Sequence, residues 1–224
     1  MPVSPKLCKA VVASLLAFGF GHRCLADSIV FSNLGTGPNV SNGVAGWGVA
    51  GETINGKFPF SVAAPFTVVT TTYFGELDIA LGYDPGIDTA TNSVTVDLMS
   101  DSGGPGTVLE SWGVSFLPTV EFCCTLQMLS GNTLLLESGT TYWVAVLPGD
   151  STANAQWNFN TTDDTAPVFL NEGSGWFAIG SGPLDGAFEV QGTAAPEPGT
   201  MTLLGSGLLG LAGLLRRRLR RSAN

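Results

Sequence analysis

A chain of 224 residues suits one domain with terminal extensions, and its charged residues are 12% of the sequence, about half the usual share in globular proteins. The segment from Asp27 to Ala195 holds 17 of the 18 acidic residues but one of the nine basic residues, Lys57. Because such an acidic body repels phosphates, its composition excludes nucleic-acid binding and favours cations as partners.

The N-terminus has the three parts of a secretory signal peptide. Lys6 and Lys9 form a basic start, residues 10–20 form an apolar stretch, and residues 24–26 (Cys-Leu-Ala) resemble a small-x-Ala cleavage pattern. A short buried helix is the structural alternative. We predict that signal peptidase removes residues 1–26 and that the remainder is exported.

The body, residues 27–192, contains short runs that alternate apolar and polar residues, as half-buried strands do. The predicted strands lie at residues 27–31, 60–69, 75–81, 94–98, 108–117, 122–129, 133–138, 155–160 and 188–191. Residues 141–148 (TYWVAVLP) are apolar on both faces, which predicts a central strand. Gly- and Pro-rich turns separate the runs. About ten to twelve such strands predict an all-β fold, an antiparallel β-sandwich or jelly roll.

The C-terminal segment, residues 193–224, has a different composition. It contains a linker with Pro-Glu-Pro at 196–198, an uncharged run at 201–215 and an arginine cluster at 216–221. A helix over the uncharged run would be about 22 Å long, shorter than the roughly 30 Å hydrocarbon core of a bilayer. We therefore predict a short hydrophobic helix that is a marginal membrane anchor, with a cytoplasmic C-terminus set by the arginines. An amphipathic surface helix is the structural alternative.

These three parts occur in the order of a known signal. The triplet, the glycine-broken apolar run and the arginines resemble the PEP-CTERM sorting signal of Gram-negative bacteria; the matching residues are Pro196, Glu197, Pro198, Arg216, Arg217 and Arg218. The resemblance implies processing near the triplet by exosortase, a membrane protease. It also implies a transient stop in the inner membrane, followed by delivery to the cell surface or the extracellular matrix.

A second resemblance runs through the body. The motifs that carry it are SNLGTGP at 32–38, AAPF at 63–66, ALGYDPG at 80–86, SDSGGPGTVLES at 100–111, GTTYWVAV at 139–146, AQWNFN at 155–160 and GAFEV at 186–190. Together they resemble the choice-of-anchor R domain. That resemblance implies an extracellular β domain that is carried by varied surface anchors, and it implies no particular activity.

The residues needed for most catalytic chemistry are missing from the body. The single histidine, His22, lies in the predicted signal peptide, which excludes Ser-His-Asp catalysis and histidine-ligated metals from the mature chain. A glycosidase that uses two carboxylates remains as the enzymatic alternative, with Glu76, Glu110 and Glu189 as candidates. We predict that the protein is not an enzyme.

Acidic turns make calcium the cofactor candidate. Asp84 and Asp88 flank a Pro-Gly turn, Asp101 lies in SDSGG, and Asp163 and Asp164 are neighbours in NTTDDT. Oxygen-rich loops suit this hard cation, although aspartates are also common as turn caps. These loops support the second functional hypothesis, a calcium-dependent carbohydrate-binding module.

Two further features could contact a glycan. Trp47 and Trp176 lie beside glycines and are candidates for exposed stacking faces, and Gln156, Asn158 and Asn160 form an amide row on one strand. The alternative for the row is an ordinary solvated face. Cys123 and Cys124 are adjacent, and in a strand their side chains would point to opposite faces, which favours two separate thiols over one disulfide.

Together these features predict an exported, surface-sorted, non-catalytic β-sandwich protein of the cell envelope or extracellular matrix. Extracellular polysaccharide is its expected partner.

Overall fold

The computed structural model describes residues 28–37, 40–56, 58–85, 90–119, 126–131, 134–180, 184–195 and 198–221. The strands are β1 (Ser28–Ser32), β2 (Gly46–Ala50), β3 (Ser61–Thr67), β4 (Thr72–Tyr83), β5 (Val94–Asp101), β6 (Pro105–Val114), β7 (Leu126–Ser130), β8 (Leu135–Leu136), β9 (Thr141–Pro148), β10 (Asn154–Asn158), β11 (Phe169–Asn171), β12 (Trp176–Ala178) and β13 (Phe188–Ala194). The helices are α1 (Glu52–Asn55) and α2 (Pro198–Arg221).

The strands form two antiparallel sheets. In the seven-stranded sheet the order is β1-β13-β4-β10-β2, and β7 and β8 also pair with the long strand β4. In the six-stranded sheet the order is β12-β11-β3-β9-β5-β6. The predicted all-β sandwich is therefore confirmed.

The main core lies between the two sheets. β4 contributes Leu77, Ile79 and Leu81, and the six-stranded sheet contributes Val62 and Val144, all of them fully or almost fully buried. Their alternation along each strand is the one expected from the sequence, because neighbouring residues in a strand face opposite sides. Burial of these side chains is the main source of stability.

A second, smaller cluster covers the opposite face of the six-stranded sheet. Ala63, Met99, Trp143 and Ala145 are buried there, and Phe169 packs its ring against Trp143 with centroids 4.8 Å apart. β9 is thus buried on both faces and lies between β3 and β5. This confirms the central strand predicted from TYWVAVLP.

Three short strands, β2, β11 and β12, are not predicted from the sequence. β2 contains two glycines, and β11 and β12 have three residues each, so none of them shows a run of alternating residues. Other strands differ from the prediction at their ends; β4 extends to both sides of the predicted run at 75–81. Pairing with neighbouring strands sets these ends, and the sequence pattern alone does not show it.

The two ends of the body lie side by side. β1 pairs with β13, so that Ser28 lies opposite Gly192, and the Ser28 hydroxyl donates a hydrogen bond to the Gly192 carbonyl at 3.0 Å. β13 in turn pairs with β4 along its length. The first strand after the predicted signal peptide and the last strand before the tail are therefore neighbours in one sheet.

The C-terminal helix α2 is longer than the predicted helix at 201–215. It spans 24 residues and continues into the arginine cluster. Among the described residues, the helices do not combine the length and the apolar character that crossing a bilayer requires. The predicted signal peptide and the Cys123–Cys124 pair lie outside the described residues.

Gly186 provides a test of this packing. It lies against the indole of Trp157, which is fully buried, and a Cβ at this position would overlap the indole ring. We expect Gly186→Ala to lower the free energy of unfolding by about 2 kcal/mol or more, because overpacking displaces a rigid side chain. Urea titration measures the change.

Gly48→Ala is the matched control. Gly48 is exposed in β2 and has open space where a Cβ would be added. We expect its free energy of unfolding to stay within about 0.5 kcal/mol of the wild-type value. Equal losses in the two variants would contradict the packing described at Trp157.

Candidate functional site

The candidate site is a cavity beside an incompletely paired strand. On one side, β9 pairs with β3 as far as Thr67. On the other side, β11 pairs with β3 from Ser61 to Ala63 and goes no further. The edge of β3 beyond Ala63 is therefore left without β11, and a cavity of about 750 Å³ opens there.

The wall of this cavity is mainly apolar and aromatic. Its lining residues are Phe31, Pro65, Phe66, Thr67, Gly103, Thr141, Trp143, Asp164, Ala166, Pro167, Phe169, Ala178 and Asp185. Phe31 and Phe169 are half-buried, and their rings pack against the buried rings of Phe66 and Trp143. The size and the apolar wall with few polar groups are those of a small-molecule pocket.

Asp185 is the unusual polar group of this wall. It belongs to the segment that leads into β13, the residue is fully buried, and neither carboxyl oxygen has a hydrogen-bond partner. Burying such a group is costly, and most buried polar groups in proteins are hydrogen-bonded. A pocket that keeps an unsatisfied carboxyl in its wall is a functional-site candidate.

The environment shifts the ionisation of this carboxyl. Burial, together with the smaller effect of the negative charge of Asp164, raises the pKa of Asp185 to about 7. The backbone N–H of Ala166 opposes the shift, although it lies outside the geometry of a hydrogen bond to the carboxyl oxygens. Asp185 therefore changes its charge near neutral pH.

Two buried asparagines hold the backbone around the carboxyl. The Asn160 side chain donates to the backbone carbonyls of Asp164 and Asp185, at 2.9 and 3.0 Å, and accepts from the Asp164 N–H at 3.0 Å. The Asn33 side chain donates to the Gly186 carbonyl at 3.0 Å and accepts from the Phe188 N–H at 2.8 Å. The position of Asp185 is thus fixed by neighbours that leave its own carboxyl unpaired.

Four of the five predicted calcium ligands lie within the described residues. Asp84 is exposed, Asp88 lies outside the described residues, and Asp101 accepts a hydrogen bond from the Trp143 indole N–H at 2.8 Å. Asp163 is exposed and Asp164 lines the cavity. Among the described residues, no group of three or more acidic, histidine or cysteine side chains is placed to hold a metal ion.

The predicted glycan-binding residues are mostly engaged within the protein. Trp47 donates its indole N–H to the Leu184 carbonyl at 2.9 Å and packs edge-on against Phe159. Trp176 is partly buried and packs against the second cluster, on the opposite face of the six-stranded sheet. Asn158 and Asn160 are buried, and Gln156 donates to the Asn158 side chain at 2.9 Å, so the amide row is not a solvated face.

The strand carboxylates have varied surroundings. Asp78 is buried, and burial raises its pKa, with further contributions from the charges of Glu76 and Glu189. The Gln191 side chain donates to both Asp78 and Glu189, at 3.0 and 2.9 Å. Neither these acids nor Glu110 lines the cavity beside β3.

Sequence reasoning missed Asp185 altogether. It lies in the segment GPLDGAF, where an aspartate before glycine reads as an ordinary turn residue. Its burial depends on Asn33 and Asn160, which are distant in sequence. A sequence pattern gives no indication of this arrangement.

The tail carries the feature that a comparison with known proteins identifies. Residues 194–220 match the PEP-CTERM protein-sorting motif. The predicted resemblance of the tail is thereby confirmed. The motif implies export, sorting to the cell surface and processing by exosortase. No curated protein matches the chain.

Asp185 generates a prediction on pH dependence. Its pKa is raised in the folded state, so the folded protein binds more protons than the unfolded chain between about pH 4 and pH 7, and stability falls as pH rises through that window. The contribution is on the order of 4 kcal/mol. We expect Asp185→Asn to remove it, which makes the variant more stable than wild type at pH 8 and similar at pH 4, as urea titrations at the two pH values would measure.

Asp163→Asn is the control, because it removes the same charge from an exposed side chain beside Asp164. We expect this variant to keep the wild-type difference between pH 4 and pH 8. Burial also raises the pKa values of Asp78 and Asp97, so part of the slope should remain in Asp185→Asn. An unchanged slope in Asp185→Asn would contradict the buried position of its carboxyl.

Proposed function

We propose that the protein is a non-catalytic β-sandwich component of the cell envelope or extracellular matrix of a Gram-negative bacterium. The observation that carries the proposal is the sorting motif at residues 194–220. It follows directly after a β-sandwich whose last strand, β13, ends at Ala194. The folded body is therefore the part that is exported, and the tail is its sorting signal.

The arrangement of the body supports export as a finished unit. β1 begins at Ser28, immediately after the predicted signal-peptidase site before Asp27. Loss of residues 1–26 and processing near the Pro-Glu-Pro triplet would both leave the strand ladders intact. The body also resembles the choice-of-anchor R domain, and we propose that it acts as such a module.

We further propose a brief membrane stage before processing. The arginine cluster would keep the C-terminus on the cytoplasmic side while exosortase acts on the other side of the membrane. The apolar run at 201–215 is short, which suits a temporary stop better than a permanent anchor.

The absence of catalysis is supported by the composition of the body. Residues 27–195 contain no histidine, and Lys57 is their one basic side chain. Hydrolysis would therefore have to use carboxylates, one of which must act as an acid. The candidates Glu76 and Glu189 lie on the neighbouring strands β4 and β13. The Gln191 side chain donates hydrogen bonds to Glu189 and to Asp78.

The tail provides the test of sorting. We expect deletion of residues 196–224 to release the body into the periplasm or medium as a soluble protein. Replacing Pro196, Glu197 and Pro198 by alanine should instead leave an unprocessed precursor, because the helix and arginines remain. Fractionation and intact mass of the products measure both outcomes. A truncated body that still sediments with membranes, or normal processing of the alanine variant, would contradict the proposal.

Catalysis is tested separately. We expect the purified protein to show no turnover of mixed polysaccharides or of chromogenic glycoside, ester and peptide substrates. Turnover that is lost in Glu76→Gln, Glu110→Gln or Glu189→Gln, with the fold preserved, would replace the structural role by the carboxylate glycosidase. Far-UV circular dichroism of each variant serves as the folding control.

A further inference from the structure

The cavity beside β3 contains negative charge without a counter-charge. Asp185 is fully buried with both carboxyl oxygens unpaired, and Asp164 lines the same cavity and is half-buried. The two are also adjacent through the backbone, where the Asp185 N–H donates to the Asp164 carbonyl at 3.3 Å. An uncompensated buried charge is unfavourable, so binding of a positive group in this cavity would be stabilising.

The body itself has almost no side chain that could supply this group. Its single lysine or arginine between residues 27 and 195 is Lys57, which lies outside the described residues. The counter-charge must therefore come from outside the described body, as a proton or as a bound cation. A proton satisfies Asp185 at low pH, and near neutral pH a ligand can take its place.

The wall of the cavity indicates what kind of cation fits. Calcium requires six to eight oxygen ligands, whereas this wall offers two carboxylates among aromatic and aliphatic side chains. The half-buried residues Phe31 and Phe169 line this cavity, and aromatic rings attract weakly hydrated organic cations. An ammonium group on an apolar framework uses both features at once.

We infer that this cavity binds an organic ammonium ion, with its charge near Asp164 and Asp185 and its apolar part against Phe31 and Phe169. A volume of about 750 Å³ accommodates a ligand of the size of a small amine or an amino sugar. The site lies wholly within the body, so the inference does not depend on how the tail is sorted.

The test uses the full chain and two probes of nearly the same shape. Choline carries a trimethylammonium group, and 3,3-dimethylbutan-1-ol replaces that group by an uncharged tert-butyl group. We expect isothermal titration calorimetry at pH 7.5 to show choline binding that is at least about tenfold tighter than binding of the alcohol, because the charge contributes to binding.

Variants locate the binding. Asp185→Asn should weaken choline binding by about tenfold or more, and Asp164→Asn should weaken it by several-fold. Asp163→Asn is the matched control, because its exposed carboxyl does not line the cavity, and it should leave the affinity within about twofold of wild type. If Asp185→Asn does not fold, Asp164→Asn alone decides.

Four results would overturn the inference. The first is no choline binding, and the second is equal binding of the uncharged alcohol, which would make the cavity a simple apolar pocket. The third is choline binding that neither Asp185→Asn nor Asp164→Asn weakens. The fourth is calcium binding that depends on Asp185 while choline does not bind, which would identify the site as a metal site.

Discussion

Burial of both faces of β9 is the constraint from which the rest of the body follows. Val144 and Val146 point into the main core, while Trp143 and Ala145 point the other way and also need cover. Phe169 of β11 and Trp176 of β12 pack against this second cluster, and Gly104 allows a turn to approach the ring of Phe169. Because the pairing of β11 with β3 stops at Ala63, the remaining edge of β3 becomes one wall of the cavity.

Two aspartates of this acidic body have pKa values shifted in opposite directions. Asp150 lies at the surface and accepts hydrogen bonds from Thr152, Thr91 and Ser93, which together lower its pKa to about 2. Asp185 is buried without such donors, and its pKa moves in the opposite direction. The fold therefore provides hydrogen-bond donors to a carboxylate where hydroxyl groups surround it. The unpaired state of Asp185 is a local property of the cavity and not a general result of the high acidic content.

The sequence predicts the regular parts of the fold and little of the candidate site. Alternation in β4, β5 and β13 identifies strands because every second apolar side chain points into the main core, and the two apolar faces of β9 identify its central place. The same reasoning misplaces Asn158 and Asn160, which are buried although they alternate with core residues, because the end of β10 packs against the segment before β13. The cavity joins β1, β3, β9, β11, β12 and three connecting segments, and contacts over such distances in sequence are not visible as a local pattern.

The position of β13 has a mechanical consequence. This strand connects the body to the tail, lies between β1 and β4, and is continued by the Ala195 N–H, which donates to the Thr71 carbonyl at 2.9 Å. A pull on the tail acts along the strand, whereas the ladder hydrogen bonds run across it. Both ladders are then loaded in shear, so many bonds resist together instead of opening one at a time. A force applied to the C-terminal end of the body is thus shared between the two ladders of β13.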